Sequence, residues 1–275
     1  MLEALSYPFM ARALVASVVI GVTCSFIGVF VVLRGLSFIG AGVAHAGFAG
    51  VALAFLIGWN PVFLGVVSAL AMVLAVGGVS QRGELKLDAA IGILFSTTMA
   101  LAILFIGLMR QYNVELFSYL FGNVLAVTNE DLYIVAAVSG GVILILLAFF
   151  KEFQFICFNA SMAEASGLPV SGLFRLLLVL IALTIVVSLK AVGELLVIAL
   201  IVIPAAAAFQ LTHFLRQMIA LAVLIGAGAS AGGVFVSFYV DVSSGSSVVL
   251  LLAAIFALAT ALSPKKKCRA RPRCY

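Results

Sequence analysis

Predominantly apolar runs of membrane-spanning length follow one another from end to end of this chain, and that succession leaves it few folds to adopt. They lie near residues 10–33, 38–58, 61–80, 89–109, 131–150, 173–189, 192–211, 217–239 and 246–262. A bilayer core takes about 20 such residues per helix, so the runs predict nine spans, or eight if the short pair flanking Lys190 is counted differently. Composition agrees: 65% of the 275 residues are hydrophobic, 9% are charged and the mean hydropathy is +1.35. Soluble domains hold about 25% charged residues, and a chain this apolar cannot hide its surface from water by folding on itself. The fold class expected is therefore all-α, a polytopic transmembrane helical bundle. Residues 1–262 form one membrane domain and 263–275 a basic tail. The opening "MLEALSYPFM" carries Glu3 and no basic n-region, so the first run is expected to be kept as a span rather than cleaved.

Charges fall in the connections and are lopsided. Arg34, Arg82, Lys86, Lys151, Arg175 and Arg216 occupy alternate connections, and six more basic residues lie in "KKKCRARPR", Lys265 to Arg273. That places twelve of the fifteen on one side, against Arg12, Arg110 and Lys190 on the other. By the positive-inside rule the C-terminus is expected in the cytoplasm and the N-terminus outside. A basic tail beside a span marks membrane orientation rather than nucleic-acid binding. Cys24 and Cys157 are isolated, and Cys268 and Cys274 lack the tight spacing of a zinc site, so all four read as reduced, unpaired thiols.

Two polar stretches interrupt the pattern. Tyr112 to Leu132 is expected on the outer side or partly re-entrant. Lys151 to Arg175 is expected in the cytoplasm, where "NASMAEASGLP" can form a short helix capped by Asn159 or Ser161 and ended by Gly167 and Pro169. Such a helix is either an ordinary interfacial loop or a knob offered to a soluble partner.

Chemistry concentrates at two ionisable residues in apolar surroundings. In "FIGAGVAHAGFAG" (Phe38 to Gly50), Gly42, Ala46 and Gly50 repeat every fourth residue, a ridge that lets helix backbones approach closely. Residues 41, 45, 49 and 52 form the neighbouring face, with His45 as its only polar group. His45 can either bond a carbonyl on an adjacent helix or act as a metal ligand, since neutral imidazole suits several transition metals. Glu194 lies inside or at the mouth of the apolar run 192–211, where an ionised side chain costs about 3 kcal/mol or more. Either Lys190, one turn earlier, pairs with it, or Glu194 supplies the anionic ligand that a lone histidine lacks. Pro204 in the same span removes one backbone hydrogen bond and predicts a weakened or kinked helix lining a cavity. Asp88 and Asp241 read as a cap and a loop residue, and His213 as a solvated group near a helix end. The sequence has no GxSxG, HExxH or GxxxxGK[ST] motif, so no catalytic constellation or ATP-hydrolysing loop is expected in this chain.

Five ordered blocks carry a resemblance: "VVLRGLSFIGAGVAHAGFAGVALAF", "LDAAIGILFS", "YLFGNVLAVTNEDL", "VGELLVIALIVIPAAAA" and "GSSVVLLLAA". Together they resemble the permease subunit of bacterial ABC importers for zinc, manganese and iron, the ZnuB type. "YLFGNVLAVT" is most similar to the zinc permeases. The resemblance implies an ABC-importer permease fold in the bacterial inner membrane. It implies a homodimer, an ATP-binding subunit on the cytoplasmic face and an extracytoplasmic metal-binding protein. The cargo would be a divalent metal, zinc first, with manganese or iron as the alternative, and the chain itself would hold no cofactor. Glu164, Gly167 and Pro169 would belong to the coupling segment that meets the ATPase. The family pattern has an aspartate four residues before the histidine, where this chain has Ala41. The resemblance implies a metal path lined by His45. Family members commonly have an apolar residue where this chain has Glu194, and a carboxylate lost from one span and gained on another suggests Glu194 as a relocated acidic ligand. A secondary transporter or channel, the competing class, would show inverted repeats with paired broken helices. A membrane-embedded enzyme would need a catalytic dyad or metal motif, and neither signature is present.

Overall fold

The structure, a computed structural model, describes residues 8–82, 87–109, 116, 119, 122, 127–240 and 242–263. Its helices are α1 (Pro8–Leu33), α2 (Ile39–Ile57), α3 (Pro61–Arg82), α4 (Leu87–Leu108), α5 (Asn129–Ala148), α6 (Phe150–Phe158), α7 (Ala160–Ala165), α8 (Val170–Val192), α9 (Glu194–Leu211), α10 (Leu215–Val240) and α11 (Ser244–Ala261). Among the described residues, nine helices (α1–α5 and α8–α11) are long and apolar enough to cross a membrane. The short pair around Lys190 is two spans. Lys190 lies inside α8, and the break falls at Gly193, whose φ of 82° and ψ of 162° suit only glycine.

Lipid tails are as apolar as leucine, so helices in a bilayer associate through close packing and hydrogen bonds. Small residues therefore mark the crossings here. Gly21 of α1 lies against Gly226 of α10, where a side-chain carbon on Gly21 would come within 2.9 Å of the Gly226 carbonyl oxygen. Seven residues on, Gly28 lies against the Ile201 carbonyl of α9, and an added carbon there would overlap it outright. The ridge of Gly42, Ala46 and Gly50 on α2 packs as its spacing predicts. Gly42 faces Met72 of α3 and Ile91 of α4, Gly50 faces Leu64, and Ser68 Oγ donates to the Ala46 carbonyl at 2.7 Å.

Pro204 does not end α9, which continues to Leu211. Proline has no N–H, so the Leu200 carbonyl one turn earlier loses its helical donor. Ser25 Oγ of α1 donates to that carbonyl at 3.4 Å. The serine and Gly28 thus sit at one crossing, one satisfying the freed carbonyl and the other allowing the approach.

The polar stretch from Lys151 to Arg175 contains more helix than expected. Phe149 leaves the α-helical region (φ −101°, ψ 26°), and α6 runs on with Phe153 and Ile156 buried. Asn159, rather than Ser161, caps α7, its side chain accepting from the Met162 N–H at 3.0 Å. Gly167 ends the segment with φ +83°. Cys24 and Cys157 are free thiols. The tail from 264 onward, with Cys268 and Cys274, lies outside the described residues, as do Asp241 and most of 112–127.

Gly28→Ala is expected to destabilise the protein by about 1–3 kcal/mol through overpacking, lowering its melting temperature in detergent micelles. Gly140→Ala, whose added carbon would meet open space, should leave it unchanged.

Candidate functional site

Gly193 makes Glu194 the first residue of α9 and turns it inward, so that its side chain is only 2% exposed. There Glu194 Oε1 meets Nδ1 of His45 on α2. The structure brings together the two site residues picked out from sequence, although 149 positions separate them. Apart from this contact, neither Glu194 oxygen nor His45 Nδ1 has a hydrogen-bond partner. A buried carboxylate and a half-buried imidazole each lose hydration, and holding them together offsets part of that cost.

The histidine is oriented by an aromatic wall. Its ring centroid lies 4.6 Å from that of Phe95 on α4, the planes inclined by 39°. His45 keeps 18% of its side-chain surface exposed. Ala41, one turn earlier, is also partly exposed, whereas Ala49 and Ala52 are buried. The face expected from residues 41, 45, 49 and 52 is thus open only in its first half. Ala41 offers no donor atom, so α2 contributes imidazole nitrogen alone.

Lys190 does not pair with Glu194. Its Nζ lies 2.6 Å from Asp131 Oδ1 on α5. Asp131 is held by a capping box at the start of α5: its N–H donates to Thr128 Oγ1 at 3.2 Å, and its Oδ2 accepts from the Thr128 N–H at 3.2 Å. One carboxylate oxygen serves the helix cap and the other the lysine. The ion pair weighed from sequence for Glu194 is corrected here, because the cation one turn away is engaged by another helix. The spacing Thr128-x-x-Asp131 announces the cap, but only the packing of α5 on α8 shows that the same aspartate captures Lys190.

Part of the 112–132 stretch closes over the turn before Glu194. Gly122, with φ +70°, lies against the backbone of Val192 and Gly193 without room for a side-chain carbon. Tyr119 faces Phe55 of α2 with ring centroids 6.5 Å apart. Glu164, Gly167 and Pro169 lie apart from this site, all three exposed along α7 and the turn into α8. Only Ala163 of α7 is buried, so the segment presents most of its surface outward. Among the described residues no group of three or more His, Cys, Asp or Glu gathers. The site is a two-donor pair, nitrogen from α2 and oxygen from α9. Such a pair can touch a cation in passing, but it cannot complete a metal's coordination shell unaided.

Known proteins resemble this chain over nearly its whole length. Residues 6–263 match the ABC 3 transport family. The manganese transport system membrane protein MntC of Halalkalibacterium halodurans is 39% identical over 96% of this chain and 90% of that one. The chelated iron transport system membrane protein YfeD of Yersinia pestis is 35% identical over 94% of this chain and 86% of the relative. The solved structure of PsaBC from Streptococcus pneumoniae in complex with Fab superimposes with a TM-score of 0.86 at 34% identity, covering 97% of this chain and 96% of the other. The MntC and YfeD relatives carry manganese and iron in their names, not zinc, and the expectation of zinc from "YLFGNVLAVT" is set aside on that ground. This chain belongs to the ABC 3 transport family and is the membrane permease of a metal importer.

Proposed function

We propose that this permease imports manganese(II), with His45 and Glu194 forming the point at which the ion passes through the membrane. The contact between those two side chains is the observation that carries the reading. It offers one carboxylate oxygen and one imidazole nitrogen with no thiolate, a donor set suited to manganese(II) and iron(II) rather than to a soft ion. The names of the relatives support manganese first. Iron(II) is the second reading, favoured by the YfeD relative and by the same donor set.

In this reading an extracytoplasmic binding protein delivers the ion to the face where Gly122 covers the α8–α9 turn. His45 and Glu194 replace part of its hydration shell, and water or a second copy of the chain supplies the remainder. Two donors hold an ion weakly enough to release it, which transport requires. An ATP-binding subunit docks against Glu164, Gly167 and Pro169, on the side where Arg34, Arg82, Lys151, Arg216 and the basic tail put the cytoplasm. α4, of whose described residues only Ala90, Ile91 and Ala102 are buried, offers the apolar surface that lipid or the second copy would cover.

Importer-deficient bacterial cells that express this permease with its ATPase and binding protein should take up radioactive manganese, and unlabelled iron(II) should compete with it. His45→Ala and Glu194→Gln, at equal expression, should reduce uptake to that of cells lacking the permease. Normal uptake by Glu194→Gln would remove the site, and no manganese uptake by the wild type would move the assignment to iron. Glu164→Lys, at an exposed position, should leave the melting temperature unchanged while reducing the ATPase that copurifies with the permease.

A further inference from the structure

At the end of the bundle that carries α6 and α7, a cleft of about 620 Å³ opens between α1, α5, α6 and α10. Its inner wall is apolar, formed by Phe26, Phe150 and Ile219 among others. Phe26 lies two turns inside the end of α1, about 10 Å along the helix axis. The wall is firmly built: the Phe30 ring packs against those of Phe26, Phe150 and Phe153 at centroid distances of 6.1, 6.4 and 5.8 Å. Its rim is charged. Lys151 and Arg216 are exposed there, with Glu152 between solvent and core. The two ion pairs found among the described residues are His45–Glu194 and Lys190–Asp131, so neither rim cation is engaged in one.

An occupant that satisfies this cleft must be amphipathic, with an anionic group for the rim and hydrocarbon for the wall. A soluble protein can offer a carboxylate to Lys151 and Arg216, but the aromatic and aliphatic wall beneath them, reaching about 10 Å inside the end of α1, asks for hydrocarbon. We propose that the cleft binds one anionic phospholipid from the membrane, its phosphate between Lys151 and Arg216 and its upper acyl chain along Phe26 and Ile219. Basic pockets between spans recognise lipid headgroups in this way. The lipid would brace α6 where the chain kinks at Phe149, just before α7.

The test uses the full-length chain in mild detergent and measures added phosphatidylglycerol by native mass spectrometry, with phosphatidylcholine and inorganic phosphate as comparison probes. Wild type should retain phosphatidylglycerol in preference to phosphatidylcholine. The double variant Lys151→Gln/Arg216→Gln should bind it about 30-fold more weakly, and Lys151→Arg should bind it normally. Phosphatidylglycerol should also raise the melting temperature of the wild type and not of the double variant. If the double variant does not fold, Ile219→Trp takes its place: it fills the wall, keeps both charges and should lower phosphatidylglycerol retention. Equal retention by wild type and whichever variant folds would overturn the proposal. So would inorganic phosphate displacing the lipid at equal concentration, which would mark a free-anion site. Loss of copurifying ATPase with lipid binding intact would do the same and would make the rim a protein contact.

Discussion

A carbonyl freed inside a membrane has no water to turn to, and the crossing of α1 with α9 is built around one such group. Pro204 strips the Leu200 carbonyl of its helical donor, and an unmet buried acceptor costs about 1–3 kcal/mol. Ser25 supplies the missing donor from α1. It can do so because Gly28, one turn on, lets α1 rest directly on the α9 backbone. α1 is also clamped to α10 at Gly21 and Gly226, so it acts as a strut between two spans. The position of α9, and with it the position of Glu194, follows from this arrangement.

The charged groups near the turn between α8 and α9 are sorted by a similar economy of partners. Lys190 and Glu194 are one turn apart in sequence and would pair in a continuous helix, but Gly193 interrupts it. Asp131, already fixed by its capping box, takes the lysine. Glu194 is then left facing His45 with no fixed ammonium group beside it. Helix capping on α5 thus bears on the charge balance of a contact between α2 and α9.

Much of this was legible in the sequence because the bilayer imposes a simple rule on span length. The nine apolar runs became nine helices, and the Gly42–Ala46–Gly50 spacing became a packed ridge. His45 and Glu194 stood out because an ionisable group among apolar residues needs an explanation. Other features were not legible, for identifiable reasons. The segment FKEFQFICF has too few residues for a clear helical period, so the sequence pattern assigns no element of its own to α6. The Asp131–Lys190 pair joins helices whose adjacency no local pattern announces. The zinc expectation rests on one short block, YLFGNVLAVT, whereas imidazole and carboxylate donors suit several divalent ions.

Gly193 has a consequence for how long an ion could stay. By making Glu194 the first residue of α9, it sets the carboxylate at the positive end of a helix dipole. That end steadies the anion, and it pushes back on any cation the anion attracts. In the proposed site the pull of the carboxylate and the push of nearby backbone N–H groups act on the same ion. The dwell time of the cargo is then set partly by peptide dipoles, which no side-chain substitution removes.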